Sequence, residues 1–273
     1  MIKDITLGQF FPGNTVIHKL DPRMKIVLAI AYIVAVFLAK NVYSFIAVTA
    51  SAILLVFISG ISWKTILKSM KPLIFILVFT TFFNLFWTTG DVLLVSFWKI
   101  NIYLEGVIFS LMMILRISSL LVGTTVLLTY TTSPIMLTDA LEQLLAPLRK
   151  IKLPVHEFSM MMTIALRFIP TLVEETDKIM SAQKARGADF ESGSLMKRAK
   201  ALVPILIPLF ISAFRRADDL ATAMECRCYR GGEGRTRMTK LKFHLIDFGA
   251  AFAMVLFIGI IVAGNMLPTS IAL

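Results

Sequence analysis

The chain reads as an all-α polytopic membrane protein, and three observations lead there. Hydrophobic residues make up 57% of its 273 residues, and mean hydropathy is +0.80. The charged fraction is 16%, where a soluble domain carries about a quarter. The apolar residues also fall in runs long enough to cross a hydrocarbon core, which takes roughly 17–25 residues of helix.

Residues 1–22 are mixed and polar, with Phe10-Phe11-Pro12-Gly13-Asn14 as a turn and no leader cleavage site expected after the first apolar run. The first predicted span covers about Lys25 to Leu38 and is short, with Lys40 snorkelling to the far interface. The second covers Val42 to Ile61. The third covers Pro72 to Trp87, where Trp87 is an interface anchor. The fourth covers Glu105 to Tyr130 and the fifth Phe243 to Leu267, stopped by Pro268. These limits define an N-terminal membrane region (1–130), a charged insert (131–242) and a C-terminal transmembrane helix (243–273).

The net charge of +11 orients the spans. Lys3, Lys19, Arg23 and Lys25 precede the first, and Lys64, Lys68 and Lys71 separate the second from the third. The insert holds 18 Lys and Arg between Arg149 and Lys242, whereas the opposite-side loops hold only Lys40 and Lys99. Basic residues stay on the cytoplasmic side. Five crossings then put the N-terminus in the cytoplasm and the C-terminus outside. The excess charge records this orientation, and no nucleic-acid partner is inferred from it.

The insert is helical. Ser133-Pro134 is a helix start, with Ser as N-cap and Pro in the first turn. Leu137, Leu141, Leu144, Leu145 and Leu148 share one face, and Pro147 and Pro154 bracket the break after it. A second pattern, from Val155 to Ala185, places Phe158, Met161, Met162, Ala165, Phe168, Ile169 and Leu172 at helical spacing. Pro170 is expected to kink or interrupt it. The pattern turns acidic at Glu174, Glu175 and Asp177 and ends at Ala185-Arg186-Gly187, where Gly supplies a left-handed cap. Glu191-Ser192-Gly193-Ser194 makes a turn. A third pattern, from Leu195 to Cys228, shows Leu202, Leu206, Leu209 and Ala213 on one face, bent by Pro204 and Pro208. It closes on Cys226-Arg227-Cys228, before the basic glycine stretch Gly231 to Arg235. Both long patterns therefore run from an apolar half through proline and acidic residues to an Arg between small residues.

The remaining motifs exclude more than they propose. No G-x-x-x-x-G-K-[ST] loop is present, which argues against P-loop ATP binding by this chain, and Gly231 to Arg235 lacks the required Lys-Ser/Thr. His156-Glu157 is half of a zinc-protease motif without the second His. Cys226 and Cys228 are too close for ordinary disulfide geometry and lack the further ligands of a zinc site. No catalytic, metal or cofactor site is expected. Arg116 falls mid-way in the fourth span without an acidic partner in the other spans. Lining a polar interface, bonding backbone carbonyls and meeting a partner protein remain open for it. Met160-Met161-Met162 forms an adaptable surface or core filler. Arg186 and Arg227 each offer a planar five-donor fork suited to carboxylates, with small neighbours that let a helix tip enter a groove.

Four stretches together resemble the transmembrane, or T, subunit of energy-coupling factor transporters. They are Leu20-Asp21-Pro22-Arg23-Met24-Lys25, Leu166-Arg167-Phe168-Ile169-Pro170, Ala182 to Phe190, and Ala223 to Gly232. The resemblance covers nearly the whole chain. It implies about five transmembrane helices plus long cytoplasmic coupling helices, and a complex with two cytoplasmic ABC-type ATPases that bind the ATP. It also implies a small membrane substrate-binding subunit, interchangeable in many such systems, for uptake of vitamins or other micronutrients across the plasma membrane of a prokaryote. Carried onto this chain, Ala185-Arg186-Gly187 docks one ATPase and Cys226-Arg227-Cys228 the other. The coupling-helix faces holding Phe158, Met161, Met162, Ala165, Phe168, Ile169, Leu202, Leu206 and Leu209 cradle the substrate-binding subunit, with membrane lipid around them. The second motif departs from the usual pattern, since Cys226 stands where Ala is common. A polytopic enzyme acting on lipid or prenyl phosphates is the alternative. It would need paired acidic metal motifs, and Asp218-Asp219 and Glu174-Glu175-x-Asp177 have no clear second halves. A stand-alone channel or carrier is a third reading.

Overall fold

The computed structural model describes residues 10–88, 92–97, 100–190, 194–231 and 241–267. The expected turn at Glu191-Ser192-Gly193, the glycine stretch beyond Gly231, Lys99 and Pro268 lie outside the described residues. The chain divides into a unit within 8–140 and 241–273 and a second within 141–240.

In the first unit, a short α1 (Val16–Lys19) leads to α2 (Pro22–Leu38). Pro22 occupies the first turn of α2, and the N-cap Asp21 accepts from the Arg23 backbone N–H, so the orphan donors of this end are met locally. α3 (Val42–Ser59) stops at Gly60, whose φ of 68° is the left-handed conformation glycine adopts freely. Ser62 caps α4 (Trp63–Met70), a 3₁₀ turn carries Pro72, and α5 (Ile74–Trp87) follows. The third span is thus one helical run from Trp63 to Trp87, starting nine residues before the predicted Pro72. The lysines assigned to a loop, Lys64, Lys68 and Lys71, stand on its first turns. The 3₁₀ turn Lys71–Leu73 takes up Pro72, which has no N–H to donate, and the run continues past it into α5.

A hairpin of β1 (Leu93–Phe97) and β2 (Ile100–Tyr103), paired antiparallel, precedes α6 (Leu104–Thr124). The sequence reading missed it. The β-branched and aromatic residues of this segment suit a strand, but four- and five-residue strands give too little alternation to separate from a loop. α6 continues as a π-helix, Thr125–Tyr130. α7 (Pro134–Leu144) starts on Ser133, whose hydroxyl accepts the Met136 N–H as expected. The first unit is completed by α10 (Leu245–Met266), closed at its start by a capping box of His244 and Asp247.

Among the described residues, four runs are long and apolar enough to cross a bilayer: Val42–Ser59, Trp63–Trp87, Leu104–Tyr130 and Leu245–Met266. The expected first span, α2, has 17 residues, about 25 Å of helix, the short end of the spanning range. One face of it is closed off. Tyr32, Ala35, Val36 and Ala39 are shut off from solvent, and α2 packs against both α6 and α10. The closeness is built into glycines. A side chain at Gly123 would meet the Tyr32 ring 2.2 Å away, and one at Gly264 would meet the Ser44 hydroxyl at 2.9 Å. Small residues that let backbones approach are how helices associate in lipid, where burial of apolar surface gives no drive. α5 shows the opposite character: Phe75, Phe79 and Phe82 are exposed, as lipid-facing residues are.

In the second unit, a 3₁₀ segment (Ala146–Ile151) follows the end of α7. α8 (Val155–Ala185, 31 residues) and α9 (Leu195–Cys226, 32 residues) pack on each other. Pro170 was expected to kink or interrupt α8. The helix is continuous through it, as α9 is through Pro204 and Pro208. Each proline still leaves the carbonyl four residues earlier without its helical donor.

Candidate docking tips and the interfacial clasp

The two helix tips singled out in the sequence are built alike, bond for bond. Arg186 and Arg227 are the C-cap residues of α8 and α9. At the first tip, the Gly187 N–H donates to Lys184 O at 3.0 Å and the Ala188 N–H to Gln183 O at 3.0 Å. At the second, the Cys228 N–H donates to Glu225 O at 2.8 Å and the Tyr229 N–H to Met224 O at 3.0 Å. Both are Schellman closures, in which two crossing bonds satisfy the last carbonyls and the residue after the cap turns left-handed. Gly187 adopts φ 85° and Cys228 φ 56°. Glycine does this freely, whereas cysteine carries a Cβ penalty of about 1 kcal/mol. Cys226 and Cys228 are free thiols, both exposed.

α8 and α9 are tied by an ion pair, Arg216 Nη2 to Glu175 Oε2 at 2.6 Å. Arg186 lies eleven positions beyond Glu175, and Arg227 eleven beyond Arg216. Each tip therefore ends an arm of about 16 Å beyond a shared tie. The acidic stretch at Glu174, Glu175 and Asp177 supplies one member of this pair, although the sequence could not say which residues met.

The residues expected to cradle a second membrane subunit lie mostly open. Phe158, Met161, Met162 and Ala165 on α8 and Leu202 and Leu206 on α9 are exposed, while Phe168, Ile169 and Leu209 are half-buried. The sequence reading missed a second apolar stripe on α9. Val203, Ile207, Phe210 and Phe214 are all exposed, and the last two rings stack. Their 4-3-4 spacing was the available signal, hidden because α9 is apolar on two adjacent faces. His156 Nδ1 and Glu142 Oε1 are 2.9 Å apart. Among the described residues, no three His, Cys, Asp or Glu side chains converge to hold a metal ion.

In the first unit, the Leu20 to Lys25 segment is a clasp. Asp21 holds the Arg23 guanidinium at 2.8 Å, and that guanidinium lies 4.1 Å over the Phe243 ring. The Asp21 N–H donates to Asp247 Oδ1 at 2.8 Å, and Asp247 Oδ2 takes the His244 N–H at 2.7 Å. The starts of α2 and α10 are thereby locked together. Burial alone pushes the Asp21 carboxyl upward, but the hydrogen bonds and charge of Arg23 outweigh it and hold the pKa below its ordinary value. Lys25, fully buried, donates to Thr131 O at 2.8 Å, just past the π-helix. Arg116, left open by the sequence, donates to Ala39 O at 2.8 Å and lies 5.1 Å from the Phe45 ring centroid. It thus caps the C-terminal end of α2, where a cation meets the negative pole of the helix.

Spanning apolar helices, a clasp of charges at helix ends and a pair of charged amphipathic helices with Arg-capped tips define a helical membrane transport subunit. The chain belongs to the CbiQ cobalt transport protein family, whose family model matches residues 13–238, among the transmembrane proteins of energy-coupling factor transporters. The energy-coupling factor transporter transmembrane protein EcfT of Ruminiclostridium cellulolyticum is 54% identical over 247 residues, 90% of this chain and 92% of the relative. The protein of the same description from Thermosediminibacter oceani is 51% identical, covering 97% and 98%. That from Bacillus subtilis is 46% identical, covering 88% and 91%.

Proposed function

We propose that this chain is a non-catalytic membrane scaffold that couples ATP hydrolysis by two associated ABC-type ATPases to micronutrient uptake, vitamins among them, through a substrate-binding membrane subunit. The reading rests on one observation above the others: two helices of matched length end in the same Schellman closure, each with an Arg as its C-cap. A helix C-terminus concentrates negative partial charge, and an Arg placed there projects a positive fork from it. Tips of that form suit acidic sockets on two similar ATPases. Ala185-Arg186-Gly187 would enter one socket and Cys226-Arg227-Cys228 the other. The ATPases would supply the nucleotide site, so the chain needs no cofactor of its own.

The exposed apolar faces of α8 and α9 support the second part. Phe158, Met161, Met162, Leu202 and Leu206 expose area that a soluble surface would not leave open. A substrate-binding subunit in the membrane would cover them, and the flexible methionines would suit a surface that accepts several such subunits. Closure of the ATPases on ATP would move the tips, and the Glu175–Arg216 tie would make α8 and α9 move together. The basic region holding both tips would face the cytoplasm, with the N-terminus inside and the C-terminus outside.

Arg186→Glu together with Arg227→Glu, in a tagged full-length chain co-expressed with its ATPases, is expected to abolish their co-purification. Membrane insertion and yield should stay unchanged. Undiminished ATPase recovery with the double variant sinks the proposal. The alternative, an enzyme acting on lipid or prenyl phosphates, predicts metal-dependent turnover by the isolated chain.

A further inference from the structure

We infer that α4 and the groove beside it form a binding site for one anionic phospholipid. The helical run from Trp63 to Trp87 has 25 residues, about 37 Å, against a hydrocarbon core of about 30 Å. At the ordinary helix tilt of about 20°, some 5 Å of it projects into the headgroup layer. The composition decides which end projects. Lys64, Lys68 and Lys71 stand at i, i+4 and i+7 on the first turns, all exposed, and no acidic residue lies between Trp63 and Trp87. Among the described residues, no carboxylate pairs with any of the three.

An apolar stripe runs beside the lysines. Trp63 and Leu67 are exposed on α4, while Ile66 is buried and fastens the helix to the body. Trp63 also meets the Phe57 ring edge-on and closes one end of an open cavity of about 140 Å³ between α3 and α6. Ala52, Ile53, Val56, Leu115, Ser118 and Val122 line it. The arrangement supplies both halves of a lipid site side by side: a row of ammonium groups without carboxylate partners among the described residues for the headgroup and, reached past Trp63, an apolar slot for an acyl chain. Charge complementarity selects an anionic headgroup, since each Lys near an anionic surface is worth about 1 kcal/mol, or roughly fivefold. The slot selects a lipid over a free phosphate.

The test is native mass spectrometry of the purified full-length chain in detergent, titrated with phosphatidylglycerol or phosphatidylcholine of the same acyl chains. The wild type should bind the first phosphatidylglycerol at least about tenfold more tightly. Lys64→Gln, Lys68→Gln and Lys71→Gln together should shrink that preference to about twofold and leave phosphatidylcholine binding unchanged. Ser118→Phe, which fills the slot, should weaken both lipids by a similar factor. Glycerol 3-phosphate at millimolar concentration should displace neither lipid. A triple Gln variant that keeps the tenfold preference overturns the assignment, as does displacement by glycerol phosphate, which would mark an anion site without the slot. Should Ser118→Phe fail to fold, the triple variant decides alone, because its three side chains are all exposed.

Discussion

Cys228 and Gly187 hold equivalent places in two equivalent helix closures, and the difference between them is measurable. Cys228→Gly removes the Cβ penalty of a left-handed residue and should stabilise the end of α9 by about 1 kcal/mol. Gly187→Ala should cost a similar amount, and through the backbone alone, because a side chain there would meet nothing within 4 Å. Amide hydrogen exchange at Ala188 and Tyr229, the donors of the two closures, reads both effects, and unchanged protection in both variants contradicts the shared geometry. Asp21 gives a second prediction at this scale. Its folded pKa is depressed, so its stabilisation is full above the ordinary value of 3.8 and is lost as pH falls through the lower folded value. Asp21→Asn should therefore lower thermal stability by a constant amount, about 1–3 kcal/mol, from about pH 5 upward. The gap should close only below the ordinary carboxylate range, and a gap that closes near neutral pH contradicts the clasp.

Among the elements, α2 matters most for the body. Its short length would leave it weakly held as an isolated span, yet both its ends and its inner face are engaged, while Val27, Ile30, Val34 and Phe37 face outward. Asp21 and Lys25 secure one end, Arg116 caps the other, and Tyr32 seats in the space left by Gly123. In a medium without water, each unmet backbone group costs several kcal/mol, so charged side chains that close helix ends outweigh their own desolvation. Gly123→Ala would place a methyl 2.2 Å from the Tyr32 ring, forcing α2 and α6 apart. The expected cost is about 1–3 kcal/mol, read as a lower melting temperature of the detergent-solubilised protein. A neutral outcome would mean that the two helices are not in close packing.

For the whole molecule, the decisive question is which side of the membrane the charged insert occupies. The chain supplies its own probe, since its two cysteines, Cys226 and Cys228, are both exposed at the tip of α9. A membrane-impermeant maleimide should label inside-out vesicles and leave right-side-out spheroplasts unlabelled. The reverse pattern contradicts the proposed docking on cytoplasmic ATPases.

Membrane class, the positions of most spans and both Arg tips were legible in the residues, because run length, proline and glycine act locally along the chain. The Ser133 and Gly187 caps belong to the same category, since cap chemistry involves neighbours within one turn. Tertiary contact alone decided what Arg116 and Lys25 do. Their partners, Ala39 and Thr131, are backbone carbonyls, and any residue type offers one. It also decided that Glu175 meets Arg216 out of several acidic and basic candidates, and that the lysines before Pro72 stand on a helix. Local sequence sets where a helix begins and ends; what its side chains meet depends on segments far away in the chain, brought together only when the helices pack.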